Sequence, residues 1–150
     1  MALPTILETS IDLPEQTFPP GYELIEEGTR AGRLYILVEG SVEVVKDDVR
    51  VVATSEPGAV FGEISVLLGT SHTATVRTLD ATKMRVVEDA EAFLSARSDV
   101  MLPIARLLAR RLNFVTGYLV DLKRQFEDER NHLGMVDEVL ESLVHHQGDD

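Results

Sequence analysis

The chain contains no cysteine. That absence removes disulfide frameworks, thiolate zinc ribbons and cysteine nucleophiles, and it suits a reducing compartment such as the cytoplasm. Basic residues are also scarce: 14 Lys and Arg stand against 26 Asp and Glu, a formal net charge of −12. So acidic a surface repels a phosphate backbone, which makes nucleic acid an unexpected partner and solubility the simple account of the charge. Arg106, Arg110 and Arg111 do cluster, but at helical spacing among leucines, as the solvated flank of a helix. No apolar run is long enough to span a bilayer, so no membrane is expected. The first residues, 1–16, have neither the basic leader nor the apolar core of a signal peptide. What remains is 150 residues, 44% hydrophobic and 27% charged, enough for one soluble domain with a sizeable core.

Two periods divide the chain. From Tyr22 to about Glu88 the pattern is strand-like. Leu34–Val38, Ser41–Val45, Val49–Ala53, Thr73–Arg77 and Lys83–Val87 read as short strands. Glycines 21, 28, 32, 40, 58, 62 and 69 fall between such runs, at places where a turn calls for positive φ. Many short strands with glycine punctuation predict an antiparallel barrel or roll. Pro4, Pro14, Pro19 and Pro20 predict an irregular, non-helical lead-in. From Asp89 the period becomes helical. Asp89 can cap a short helix over 90–97, and Ser98 or Asp99 a longer one. In the longer segment Leu108, Leu112, Val115, Leu119, Leu122 and Phe126 alternate by four and three, and the series resumes at Leu133, Val136, Leu140 and Leu143 with Glu129 its polar member. This is a heptad seam. Part of it belongs against the chain's own strands, and the remainder predicts a second copy. Gly134 offers a break at which 133–146 folds back as a separate helix.

The segment Gly58-Ala59-Val60-Phe61-Gly62-Glu63-Ile64-Ser65-Val66-Leu67-Leu68, followed by His72-Thr73-Ala74-Thr75-Val76, resembles the phosphate-binding cassette of cyclic nucleotide-binding domains. Pro20-Gly21-Tyr22, Glu27-Gly28 and Leu34–Val42 match that family's first strands and glycines, and Ala109-Arg110-Arg111-Leu112 resembles the start of its long helix. The resemblance covers about residues 18 to 126. It implies an α+β fold: an antiparallel β-roll of the double-stranded jelly-roll type with a short phosphate-cassette helix and C-terminal helices. The implied organisation is a lead-in over 1–17, the cyclic nucleotide-binding domain with its lid and dimer helix over 18–126, and an acidic helical extension over 127–150.

The resemblance also implies a ligand, cyclic AMP or cyclic GMP, and a site. Gly62 lets the backbone approach the ligand. The amides of Glu63, Ile64 and Ser65 open a helix toward the cyclic phosphate. In the family the glutamate at Glu63 takes the ribose 2′-hydroxyl. Thr73 and Ala74 add contacts near the phosphate, and Thr116 falls near the base. One position departs from the pattern: the family's phosphate-pairing arginine aligns with His72. Arginine offers a planar, permanently charged fork, whereas histidine offers fewer donors and is mostly neutral near pH 7. Arg77 is no obvious substitute, because regular alternation puts His72, Ala74 and Val76 on one face and Thr73, Thr75 and Arg77 on the other.

No helix-turn-helix, kinase or channel segment follows Phe126 within these residues. The expectation is therefore a non-enzymatic, stand-alone sensor, dimeric through the 108–126 helix, that signals to an effector protein. A degenerate, ligand-free dimerising scaffold is the alternative favoured by His72. A cupin-like metal enzyme fits poorly. Its metal takes two or three histidines and a carboxylate, while the strand-rich half holds only His72, the others being His132, His145 and His146 near the C-terminus.

Overall fold

A computed structural model describes residues 3–126 and 130–145. In chain order the elements are α1 (Ile6–Thr9), β1 (Glu15–Phe18), β2 (Glu23–Ile25), β3 (Leu34–Glu39), β4 (Val42–Lys46), β5 (Val49–Thr54), β6 (Val60–Phe61), α2 (Glu63–Leu68), β7 (Thr75–Thr78), β8 (Thr82–Val87), α3 (Ala90–Ala96), α4 (Ser98–Gln125) and α5 (Arg130–His145). They divide into two units, Met1–Ile104 and Ala105–Asp150.

The first unit is the expected antiparallel roll. One sheet has the order β1-β8-β3-β6 and the other β2-β7-β4-β5. Period-two alternation turns Tyr35 and Leu37 of β3, Val42 of β4, Val76 of β7, and Met84 and Val86 of β8 into a common core with Phe18, Leu24, Ile25 and Phe61. Leu34 and Ile36 point the other way from β3 and are nevertheless fully buried. Arg85, paired with Ile36 in register, lies on the same face and is buried too. Its guanidinium donates to the Leu7 carbonyl at 2.6 Å and the Ser10 hydroxyl at 2.8 Å, which ties α1 and its C-cap to this second face.

The lead-in is thus more ordered than its prolines predict. Pro4 stands just before the N-cap, where it costs no helical hydrogen bond. Thr5 and Glu8 then form a reciprocal capping box that holds one helical turn together. The β4–β5 hairpin closes on two residues, Asp47 and Asp48, both at positive φ (50° and 64°). That geometry matches the twist of the flanking strands.

The second unit takes up most of α4 and all of α5. Gly134 lies inside α5 and does not break it, which corrects the expected boundary. The chain leaves α4 at Phe126 instead. Lys123 pairs with Asp137. In one straight helix fourteen residues would separate them by about 21 Å, so α5 doubles back and the seam does not continue as a single rod. Glu129, assigned to the seam, and His146 lie outside the described residues. No described helix is long and apolar enough to cross a membrane.

Candidate functional site

The cassette is built around one glycine. Gly62 sits between β6 and α2 at φ 93° and ψ −4°, a left-handed conformation, and provides no side-chain cap. A β-carbon there would lie 2.5 Å from the Arg33 carbonyl oxygen. Only glycine allows that approach, and it sets where α2 begins. The first amides of α2, those of Glu63, Ile64 and Ser65, have no carbonyl one turn back within the helix. Val66 makes the first helical bond, to the Gly62 carbonyl at 3.2 Å. Glu63 and Ser65 are buried, while the Ile64 side chain is exposed.

Ser65 ties the cassette to the segment that returns from it. Its hydroxyl donates to the Thr70 carbonyl, and its own carbonyl accepts from the amides of Gly69 and Thr70. His72 follows. It is 7% exposed, and its backbone is clamped on both sides: its amide donates to the Thr29 carbonyl at 2.8 Å, and its carbonyl accepts from Gly28 at 2.9 Å. The loop from Gly28 to Arg33 therefore buttresses both halves of the cassette, pressing Arg33 against Gly62 and Thr29 against His72. Thr29 and Arg33 were not among the expected site residues. Gly28, quoted only as a family glycine, was the signal beside them.

Among the described residues nothing hydrogen-bonds the His72 imidazole, yet neither ring nitrogen is sealed off from solvent. Burial pushes its pKa below the ordinary histidine value. Thr73 is exposed and its carbonyl accepts from Lys46 Nζ at 3.2 Å; Ala74 is half-buried. β7 begins at Thr75, two residues later than expected, because the chain bends at Thr73 and Ala74. The alternation survives the bend: His72, Val76 and Thr78 are buried. Arg77 faces outward, where it holds one oxygen of the Glu43 carboxylate at 2.6 Å while Arg50 holds the other at 2.8 Å. It is committed to that pair on the outer face of its sheet. Thr116 falls in the second unit, on α4, and its hydroxyl donates to the Leu112 carbonyl of its own helix at 2.8 Å. Among the described residues no group of three or more His, Asp or Glu is placed to hold a metal ion.

Comparison with known proteins agrees with this geometry. The sequence model of the cyclic nucleotide-binding domain matches residues 15–97. The chain is 31% identical over 113 residues to a CRP-like cAMP-activated global transcriptional regulator of Mycobacterium tuberculosis (strain ATCC 25618 / H37Rv), a match that covers 70% of this chain and 50% of the regulator. It spans 21% or less of the cyclic nucleotide-gated channels it also resembles. Among solved structures, the catabolite activator protein of Thermus thermophilus superposes with a TM-score of 0.63 at 22% identity, over 77% of this chain and 57% of that one. The regulatory subunit of a cAMP-independent protein kinase A from Trypanosoma brucei does so with a TM-score of 0.56 at 26% identity, over 67% of this chain and 37% of that one. The chain belongs to the cyclic nucleotide-binding domain family.

Proposed function

We propose that this domain is a regulatory sensor, not a catalyst, and that it binds cyclic AMP or cyclic GMP in the roll and signals through its C-terminal helices to an effector protein in the cytoplasm. The observation that carries the reading is the Gly62 turn. A backbone approach open only to glycine presents the start of α2, with the carboxylate of Glu63 buried beside it. Gly62, Glu63, Ile64, Ser65, His72, Thr73 and Ala74 are the proposed contacts to the phosphate and ribose, and the family resemblance alone assigns Thr116 to the base. Titration calorimetry with each nucleotide tests this. The expected result is binding at micromolar or weaker affinity that Glu63→Ala weakens at least tenfold, by removing the acceptor for the ribose hydroxyl.

His72 favours a second reading, a domain that has lost its nucleotide and serves as a scaffold. The trypanosomal relative belongs to a cAMP-independent kinase, so the fold by itself does not imply response to cyclic AMP. Absence of binding at millimolar nucleotide would exclude the sensor and favour the scaffold.

Both readings include a homodimer through the 108–126 helix. Leu112 and Val115 of the seam are 48% and 44% exposed in the single chain, and apolar side chains repeating by four and three suit a partner helix. The wild-type protein is expected to sediment as a dimer at micromolar concentration and Leu119→Glu as a monomer. A monomeric wild type across a wide concentration range would exclude the dimer.

A further inference from the structure

The joint between α3 and α4 is a single residue, Arg97, with φ −122° and ψ 78°, outside helical values. Its side chain gathers three parts of the first unit. Nη1 lies 2.9 Å from Asp12 Oδ2, and Nη2 donates to the Thr9 carbonyl at 3.1 Å, both in the N-terminal segment. Nε and Nη2 lie 2.9 and 3.0 Å from the two oxygens of Asp99, in the first turn of α4. The guanidinium also lies over the Phe93 ring of α3, 5.2 Å from its centroid. A planar fork satisfied on several edges at once is far more rigid than one surface ion pair. Arg97 holds the carboxyls of both Asp12 and Asp99 below the usual carboxylate range, so both partners remain charged.

The N-terminal segment is fixed independently on its other side. Buried Arg85 of β8 binds the Leu7 carbonyl and Ser10, and the Val86 amide donates to the Pro14 carbonyl at 3.1 Å. Residues 5–13 thus bridge a rigid strand of the roll and the joint from which α4 starts. We infer that this segment is a latch: docked through Arg97, it fixes the α3–α4 joint, and its release and the opening of the first turns of α4 are one event. Where α4 carries the ligand response proposed above, linkage makes the latch and the ligand sensitive to each other.

Hydrogen exchange on the full chain tests the latch without any ligand. Asp12→Ala changes an exposed side chain and is expected to leave the fold intact, which the β3 and β8 amides check. It is expected to speed amide exchange over 98–104 at least tenfold, while amides of β3 and β8 keep their wild-type rates. Asp12→Glu, which keeps the carboxylate, should restore part of the protection. Arg97→Lys, which keeps the charge without the fork, should behave like Asp12→Ala. Wild-type exchange over 98–104 in Asp12→Ala would overturn the latch. A second arm adds cyclic AMP to the wild-type protein, where exchange over 5–13 and 98–104 should change together; change in one segment alone also overturns it. If neither cyclic AMP nor cyclic GMP binds, the sensor reading fails while the ligand-free arm still decides the latch.

Discussion

Replacing His72 by arginine is expected to tighten cyclic AMP binding roughly ten- to a hundredfold, the equivalent of the ~1.5–3 kcal/mol of one charge-assisted hydrogen bond. The reason is the state of the imidazole. The residue is 7% exposed and its ring has no hydrogen-bond partner among the described residues. Burial lowers its pKa, so near neutral pH it is uncharged. A neutral ring gives a cyclic phosphate one ordinary hydrogen bond. An arginine fork gives two, with a permanent charge. The same substitution should weaken the ligand-free protein, since a guanidinium replaces a largely desolvated ring, so that nucleotide raises the melting temperature more in His72→Arg than in wild type.

The pH dependence follows with a definite sign. An adjacent anion favours the imidazolium, so ligand raises the pKa of His72 above its depressed value in the free protein. Affinity is therefore lowest above the bound-state pKa, rises as pH falls through the interval between the two values, and levels off below the free-state one. Stability of the free protein goes the other way. Its folded pKa lies below the unfolded one, so the contribution of His72 is complete above about pH 6.5 and is lost as pH falls toward the folded value. His72→Arg removes both dependences. Calorimetry from pH 5.5 to 8 on the two proteins reads all of this, and equal affinities with equal pH profiles would place His72 away from the phosphate.

How much of this was legible beforehand varies by residue, for physical reasons. The seven glycines assigned to turns all have positive φ, because a missing β-carbon is a local property that sequence records directly. The run at β3 was readable as a strand, but its burial on both faces was not, since the second face is closed by distant parts of the chain, as the bond from Arg85 to Ser10, 75 residues away in sequence, shows for that side of the sheet. β6 and β2, of two and three residues, are too short to have a period and exist through their partners in the sheets. The cassette was legible as a motif, yet the loop that supports it was not: Thr29 acts on His72 through its carbonyl, and a backbone group leaves no trace in residue identity. Arg97 and Asp12, 85 residues apart, meet only once the roll has closed. The helix break was misplaced for a simpler reason. Glycine in a helix interior costs about 1 kcal/mol, too little to end α5 at Gly134 when its neighbours favour the helix.

Gly62→Ala is expected to be among the most damaging single-atom additions to the first unit. The new β-carbon would lie 2.5 Å from the Arg33 carbonyl oxygen, a backbone atom that cannot rotate aside, and 3.6 Å from Ile25 Cδ1. The φ of 93° adds to the difficulty, because residues other than glycine are strained there by about 1–3 kcal/mol. With the clash, a loss of roughly 2–4 kcal/mol follows, enough to lower the melting temperature by about 10 °C in a unit of this size. Relief must come from moving either the Arg33 strand end or the start of α2. Either movement shifts the amides of Glu63, Ile64 and Ser65 from the proposed phosphate position, so nucleotide affinity should fall at least tenfold even where the protein remains folded. Gly134→Ala is the control. Its β-carbon meets nothing within 4 Å, and its φ is not positive. In the interior of α5 it should leave affinity unchanged and favour the helix by about 1 kcal/mol. Thermal melts and nucleotide titrations of both variants provide the comparison. A Gly62→Ala protein with wild-type melting and affinity would mean that α2 does not start where the Gly62 turn places it, and the phosphate site would then have to lie elsewhere in the roll.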